Sequence, residues 1–349
     1  MKIKKFIIFV LTTVIAISST VNISAVNIDT NQYPYLVQFI IDYDNMGGVI
    51  QTHKLYNESG NIIATCLDFS NAYIIYDNNG SIVECSSSNK SKYYNINQKT
   101  YYGGALNYFT KQDSEYYDLT KNTIIEESKF EKLSRAFEKN TNKRNVEVSQ
   151  QSKNTCSTYG SQTPTIESYM LRAPSKFDWN NDNTCASLAA TIILDHMNTS
   201  GIISLPARFS NYMPNLYNSL KYYCEIDYAN KGGGSSHESL IKGFNKFYSD
   251  HLSQNDIRLE ARDCYKATID DYGRYYFYLN SLKSLGGPFF IGIPGHMTVG
   301  YGAREIIAPS GETILRQCII NNGWGQNGIC VNMEDIDGMI TILQLIVKG

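Results

Sequence analysis

The stretch NTCASLAATIILDHMN, residues 183–198, decides how the second half of this chain is read. Leu188, Ala189, Ile192, Ile193 and Met197 recur at three- and four-residue spacing, with no Gly or Pro between them. That period predicts a helix with an apolar face, and Asn183 suits its N-cap. Further on, GGGSSHESLIKGFNKFY (232–248) reads as a loop opening a second helix, with Ser235 and Glu238 spaced as a capping box. After Gly286 the pattern turns to short β-rich runs: PFFIGI, HMTVGYGAR, TILRQCIINN and GICVNM. Helices followed by an antiparallel sheet define an α+β fold.

Upstream, residues 26–119 read as a separate β-rich domain. YPYLVQFIID, NIIATCLDF and AYIIYDNNGSIVEC are its strand candidates, and DNNG (77–80) is a hairpin turn. Residues 120–154 are polar and charged. Phe130, Leu133 and Phe137 there have helical spacing, whereas the second half has almost no apolar content and reads as an exposed linker open to cleavage near Lys153. The first 25 residues carry lysines at 2, 4 and 5, then an apolar run of about 12, below the roughly 20 needed to span a bilayer. Small residues ending at Ala25 complete the pattern of a cleavable secretory signal, so the expectation is a secreted protein with no membrane segment in its mature form.

A net charge of −2 over 349 residues offers no basic surface, so nucleic acid is not an expected partner. The eight cysteines include no CxxC pair, and no structural metal site or organic cofactor is implied. An even count permits disulfides in an exported chain, but one working thiol would leave an odd number, and spacing alone fixes no connectivity.

Cys185 falls in the first turn of its helix, where unpaired N–H groups and the helix dipole favour a thiolate. His296 follows IPG and opens the strand HMTVGYG, which places an imidazole at a sheet end. His53 lies in the first domain, His196 at the far end of the Cys185 helix, and His237 and His251 in and near the second helix, which leaves His296 as the best general base. Asn322, at the end of the following strand, is the candidate to orient that ring, with its side-chain carbonyl accepting the ring N–H. Trp324, between two glycines, would then cover the His–Asn bond against water. Each of these residues also has a purely structural reading.

Taken together, Cys at a helix start, HMTVGYGAR and IINNGWGQNG (319–328) resemble the papain superfamily of cysteine peptidases. The resemblance covers roughly residues 175–349 and implies a papain-like catalytic domain, residues 155–349, with Cys185 as nucleophile, His296 as acid/base and Asn322 as orienting residue. The exported two-part layout is similar to the streptopain group. By that likeness, residues 26–119 are a propeptide-like domain that inhibits the zymogen until removed, and the substrate is a peptide or protein. The superfamily usually carries Gln some six residues before the nucleophile, where it helps bind the oxyanion. Position 179 is Trp here, so Asn180 or Asn181 is the expected substitute. CASLAA also departs from the sequences that usually follow the nucleophile. Two other readings remain open: a cell-wall hydrolase of the NlpC type, and an inactive peptidase-like binding protein.

Overall fold

The computed structural model describes residues 33–152, 163–179, 184–224, 237–255, 257–263, 271–293, 296–333 and 340–347. The expected leader, the cleavage region near Lys153, and Asn180, Asn181, Asn183 and Ser235 lie outside them. The first half contains α1 (Tyr35–Tyr43), β1 (Gln51–Tyr56), β2 (Ile62–Asp68), β3 (Tyr73–Asp77) and β4 (Ile82–Ser86). It continues with β5 (Thr100–Tyr102), β6 (Tyr108–Gln112), β7 (Glu115–Asp118), β8 (Thr123–Ile125) and α2 (Glu127–Ser152). The second half begins with β9 (Thr165–Met170), α3 (Cys185–Thr199), α4 (Ala207–Ser210), α5 (Met213–Cys224) and α6 (His237–His251). Then come β10 (Ile257–Asp263), α7 (Asp271–Leu285), β11 (Phe289–Ile293), β12 (His296–Ile307), β13 (Thr313–Asn321), β14 (Asn327–Asn332) and β15 (Ile340–Val347). The α+β class holds.

One sheet carries both halves, in the order β10-β15-β11-β12-β13-β14-β4-β3-β2-β1-β5-β6-β7-β8, with β9 alongside β12. Every pairing is antiparallel except β1 with β5. Strand β12 is the hub: its first half pairs with β11, its second with β9, and its other edge with β13. The junction between the halves is short, with Cys330 opposite Cys85 and Val331 opposite Glu84.

Alternation along β11 places two cores on opposite faces. Phe290 joins Val299 and the α3–α6 helices on one side. Phe289 and Ile291 join α7 on the other, in a core that continues through Val331 and Val83 into the first half. The apolar continuity therefore crosses the boundary that composition implied. Helix α3 is more deeply placed than its spacing predicts, since every residue from Ala186 to Met197 is buried. Its polar groups are paired inside: Thr191 Oγ1 donates to the Ser187 carbonyl at 2.9 Å, and Ser175 Oγ donates to Asp195 at 2.5 Å. Gly300 of the GYG run sits where a Cβ would lie 2.4 Å from the Tyr278 hydroxyl and from Ile291 Cδ1, so only glycine lets α7 pack this closely.

Three local expectations change. YPYLVQFIID is helical rather than extended: Pro34 occupies the N-cap position, and Val37, Ile40 and Ile41 turn one face inward. The β-branched run misleads because burial by tertiary contacts outweighs weak strand propensity. Helix α2 runs on to Ser152 instead of ending halfway, although its later residues include many Asn, Thr, Val and Ser of modest helix propensity. Its buried Phe130, Leu133 and Phe137 are the residues whose spacing marked it. The α3 N-cap position is Thr184, not Asn183, and its hydroxyl is shared with Tyr217 at 2.6 Å without capping the helix. The DNNG hairpin stands as read, joining β3 to β4 with Asp77 Oδ1 accepting from the Asn79 and Ser81 N–H groups.

Buried Glu84 on β4 accepts from the Tyr108 hydroxyl at 2.5 Å and the Leu106 N–H at 2.8 Å. Burial raises its carboxyl from 4.5 to about 7, so the folded chain holds a proton in that window that the unfolded chain has lost. Stability then falls as pH rises from 4.5 to 7, by about 3 kcal/mol in all. Glu84→Gln should gain on the wild type by that amount over the same range. Urea unfolding of both proteins at several pH values checks this, and parallel stability curves would contradict it.

Candidate active site

His296 opens β12 and is 6% exposed. Its ring lies flat against Trp324, with centroids 3.7 Å apart and planes 13° apart. Nε2 is 2.7 Å from the main-chain oxygen of Asn322. A carbonyl only accepts, so Nε2 carries the proton and the lone pair of the neutral ring is on Nδ1. Nδ1 is buried and has no hydrogen-bond partner, as is Trp324 Nε1. Burial drives the imidazole down to about 3 against the raising effect of the Asn322 carbonyl. Lys121, in the turn between β7 and β8 of the first half, adds a smaller push in the same direction. At neutral pH the ring is an uncharged base.

Asn322 is beside His296 as anticipated, but the contact is through its main chain. Its side-chain Oδ1 accepts from the N–H groups of Trp324 at 2.9 Å and Gln326 at 3.2 Å, while Nδ2 donates to Gln326 Oε1 at 2.7 Å. Asn321 Oδ1 likewise accepts from the Gly323 N–H at 2.8 Å. Two successive Asx turns thus shape the loop. Gly323 and Gly325 take left-handed φ values of 71° and 76°, which glycine adopts without strain. The carboxamide that was expected to orient the imidazole instead builds the turn that presents the carbonyl.

The same loop is stitched to the segment leading into α3. Asn327 Nδ2 donates to the Pro174 carbonyl at 2.7 Å, Asn321 Nδ2 to the Ser175 carbonyl at 3.2 Å, and the Gly325 N–H to the Phe177 carbonyl at 3.2 Å. Phe177 and Trp179 stack at 4.4 Å, and Tyr217 donates to the Trp179 carbonyl at 3.3 Å. Asn321, Gln326 and Asn327 were not singled out from sequence. Their signal was the density of carboxamides in NNGWGQN, side chains that can donate and accept at once.

Cys185 is the first residue of α3 and is partly exposed. Helix α3 packs on β11 and β12. Leu188, on the same helix face one turn on from Cys185, and His296 both border Gly323: a Cβ there would lie 3.8 Å from Leu188 Cδ2 and 3.9 Å from His296 Cε1. The first turn of α3, the head of β12 and the Asn-rich turn therefore adjoin, while Nδ1 makes no hydrogen bond to Cys185. Thr184, immediately before Cys185, is fully buried.

No protein-family model, curated protein or solved structure matches the chain. Among the described residues, no group of three or more His, Cys, Asp or Glu side chains is arranged to hold a metal ion. None of their helices is long and apolar enough to cross a membrane. The six described cysteines carry no disulfide.

Proposed function

We propose that the protein is an exported, papain-like cysteine peptidase that hydrolyses peptide bonds through a Cys185 acyl-enzyme and is made with its own N-terminal inhibitor. The observation that carries this reading is the state of His296. One ring nitrogen is tied to a rigid turn, the ring face is covered by Trp324, and Nδ1 keeps an unshared pair beside the helix that Cys185 opens. In this mechanism Nδ1 takes the Cys185 proton as sulfur attacks the carbonyl carbon of the substrate. The imidazolium then gives that proton to the leaving amine, and a water deprotonated by His296 hydrolyses the thioester. The dipole of α3 favours negative charge on sulfur during attack.

The test is intact mass over time in reductant, for wild type and Cys185→Ala, after removal of the leader. Loss of the first half in wild type alone is the expected result. If both proteins stay whole and Cys185 alkylates no faster than a free thiol, the peptidase reading falls. The pairing of β4 with β14 favours a second reading, a peptidase-like binding protein whose first half is a permanent part of the sheet. A slow thiol together with no hydrolysis of unfolded protein substrates would favour that one.

A further inference from the structure

We propose that Cys85 and Cys330 are a peroxide-sensitive thiol pair whose oxidation to a disulfide locks the two halves of the sheet together. The pair occupies the short seam at which the halves meet. Cys85 on β4 and Cys330 on β14 are directly opposed, and among the described residues this is the sole strand pairing between the halves. Directly opposed antiparallel residues have Cα atoms about 4.5–5.5 Å apart, within the range that a disulfide spans. The two thiols lie close enough to shift each other's titration.

A buried cation sits beside them. Arg304 Nη2 lies 3.1 Å from Cys85 Sγ, and Gln317 Nε2 lies 3.8 Å from the same sulfur. The guanidinium is fixed by Gln317 Oε1 at 2.8 Å and by Asp44, whose oxygens accept from Nη1 at 3.0 and 3.3 Å. The Arg304 charge favours a thiolate on this pair against the effect of burial. The pair thus holds one stabilised thiolate beside the guanidinium, and whichever sulfur is oxidised first, the other is placed to resolve it. Buried Cys318 lacks this arginine and is raised, which makes it an internal control.

Hydrogen peroxide is small enough to reach a nearly buried thiolate, and Cys330 keeps 8% of its surface exposed. The thiolate sulfur of the pair attacks one peroxide oxygen, the O–O bond breaks, and the departing hydroxide is protonated to water, leaving a sulfenic acid. The other sulfur then displaces hydroxide from that sulfenic acid, and its own proton completes a second water. Two thiols and one peroxide give one disulfide and two waters. The inference is independent of the peptidase reading.

The experiment uses the full chain in a Cys185→Ala background, so that this thiol consumes no oxidant. Native protein is treated with about one equivalent of hydrogen peroxide, then denatured in N-ethylmaleimide and mapped by mass spectrometry without reduction. A Cys85–Cys330 linked peptide is expected, with Cys66, Cys224 and Cys318 alkylated. Cys85→Ala and Cys330→Ala should each stop at a sulfenic acid on the remaining sulfur of the pair that dimedone captures, and Arg304→Gln should slow oxidation at least tenfold. The disulfide should also raise Tm by several degrees. Alkylation of Cys85 and Cys330 to the same extent as Cys318 in the treated protein would overturn the proposal, whether or not the variants fold.

Discussion

His296→Ala is expected to lower the rate of peptide hydrolysis by at least about a thousandfold, and Cys185→Ala to abolish acyl-enzyme formation. The size of the loss follows from the geometry. The imidazole is the group at the junction whose ring nitrogen is both unprotonated and unpartnered, and the stack on Trp324 leaves it one orientation. Without it the thiol must lose its proton to water, and the departing amine has no acid. Hydrolysis of labelled casein and the rate of self-processing measure this directly. Asn322→Ser separates side-chain from main-chain orientation. Serine keeps an acceptor for the turn and leaves the main-chain carbonyl in place, so a loss of no more than about tenfold is expected. A loss as large as that of His296→Ala would show that the carboxamide itself holds the ring.

The second large effect is on stability in acid. His296 titrates near 6.5 when unfolded and is driven to about 3 by burial in the fold. Between those values the unfolded chain binds a proton that the folded chain refuses. Stability is therefore fully present above pH 6.5 and is lost as pH falls toward 3. The loss is about 1.4 kcal/mol per pH unit and approaches about 5 kcal/mol at the lower limit. Glu84 acts in the opposite direction between 4.5 and 7, so the wild-type curve alone would hide part of the effect. The comparison to make is with His296→Phe, which keeps an aromatic face against Trp324 and has nothing to protonate. The wild type should lose stability relative to this variant on acidification. Equal pH slopes for the two proteins would mean that the imidazole is not held neutral.

Much of the local structure was legible. The spacing of Leu188, Ile192 and Met197 marked α3, Phe130, Leu133 and Phe137 marked α2, and DNNG marked the β3–β4 turn. Each signal lies within a few residues, where backbone period and turn chemistry act without help from the rest of the chain. Helix α1 was misread because nine residues of mixed apolar character fit either period, and burial of one face in the folded chain settles the choice.

The candidate site divides in the same way. Residue types alone picked out Cys185, His296, Asn322 and Trp324, because a thiol at a helix start and an imidazole at a strand start are local features. Which atom of Asn322 meets the ring depends on Asn321, Gln326, Asn327 and the Pro174–Phe177 carbonyls closing around one turn. The joining of β4 to β14, and the meeting of Asp44, Cys85, Arg304 and Cys330, were also beyond reach. What the sequence by itself determined was the elements and the chemical groups they carry, since these follow from short-range period and side-chain type. What only the tertiary structure decided was which groups touch, because contacts between residues far apart in the chain are selected by the packing of the whole core rather than by any local signal.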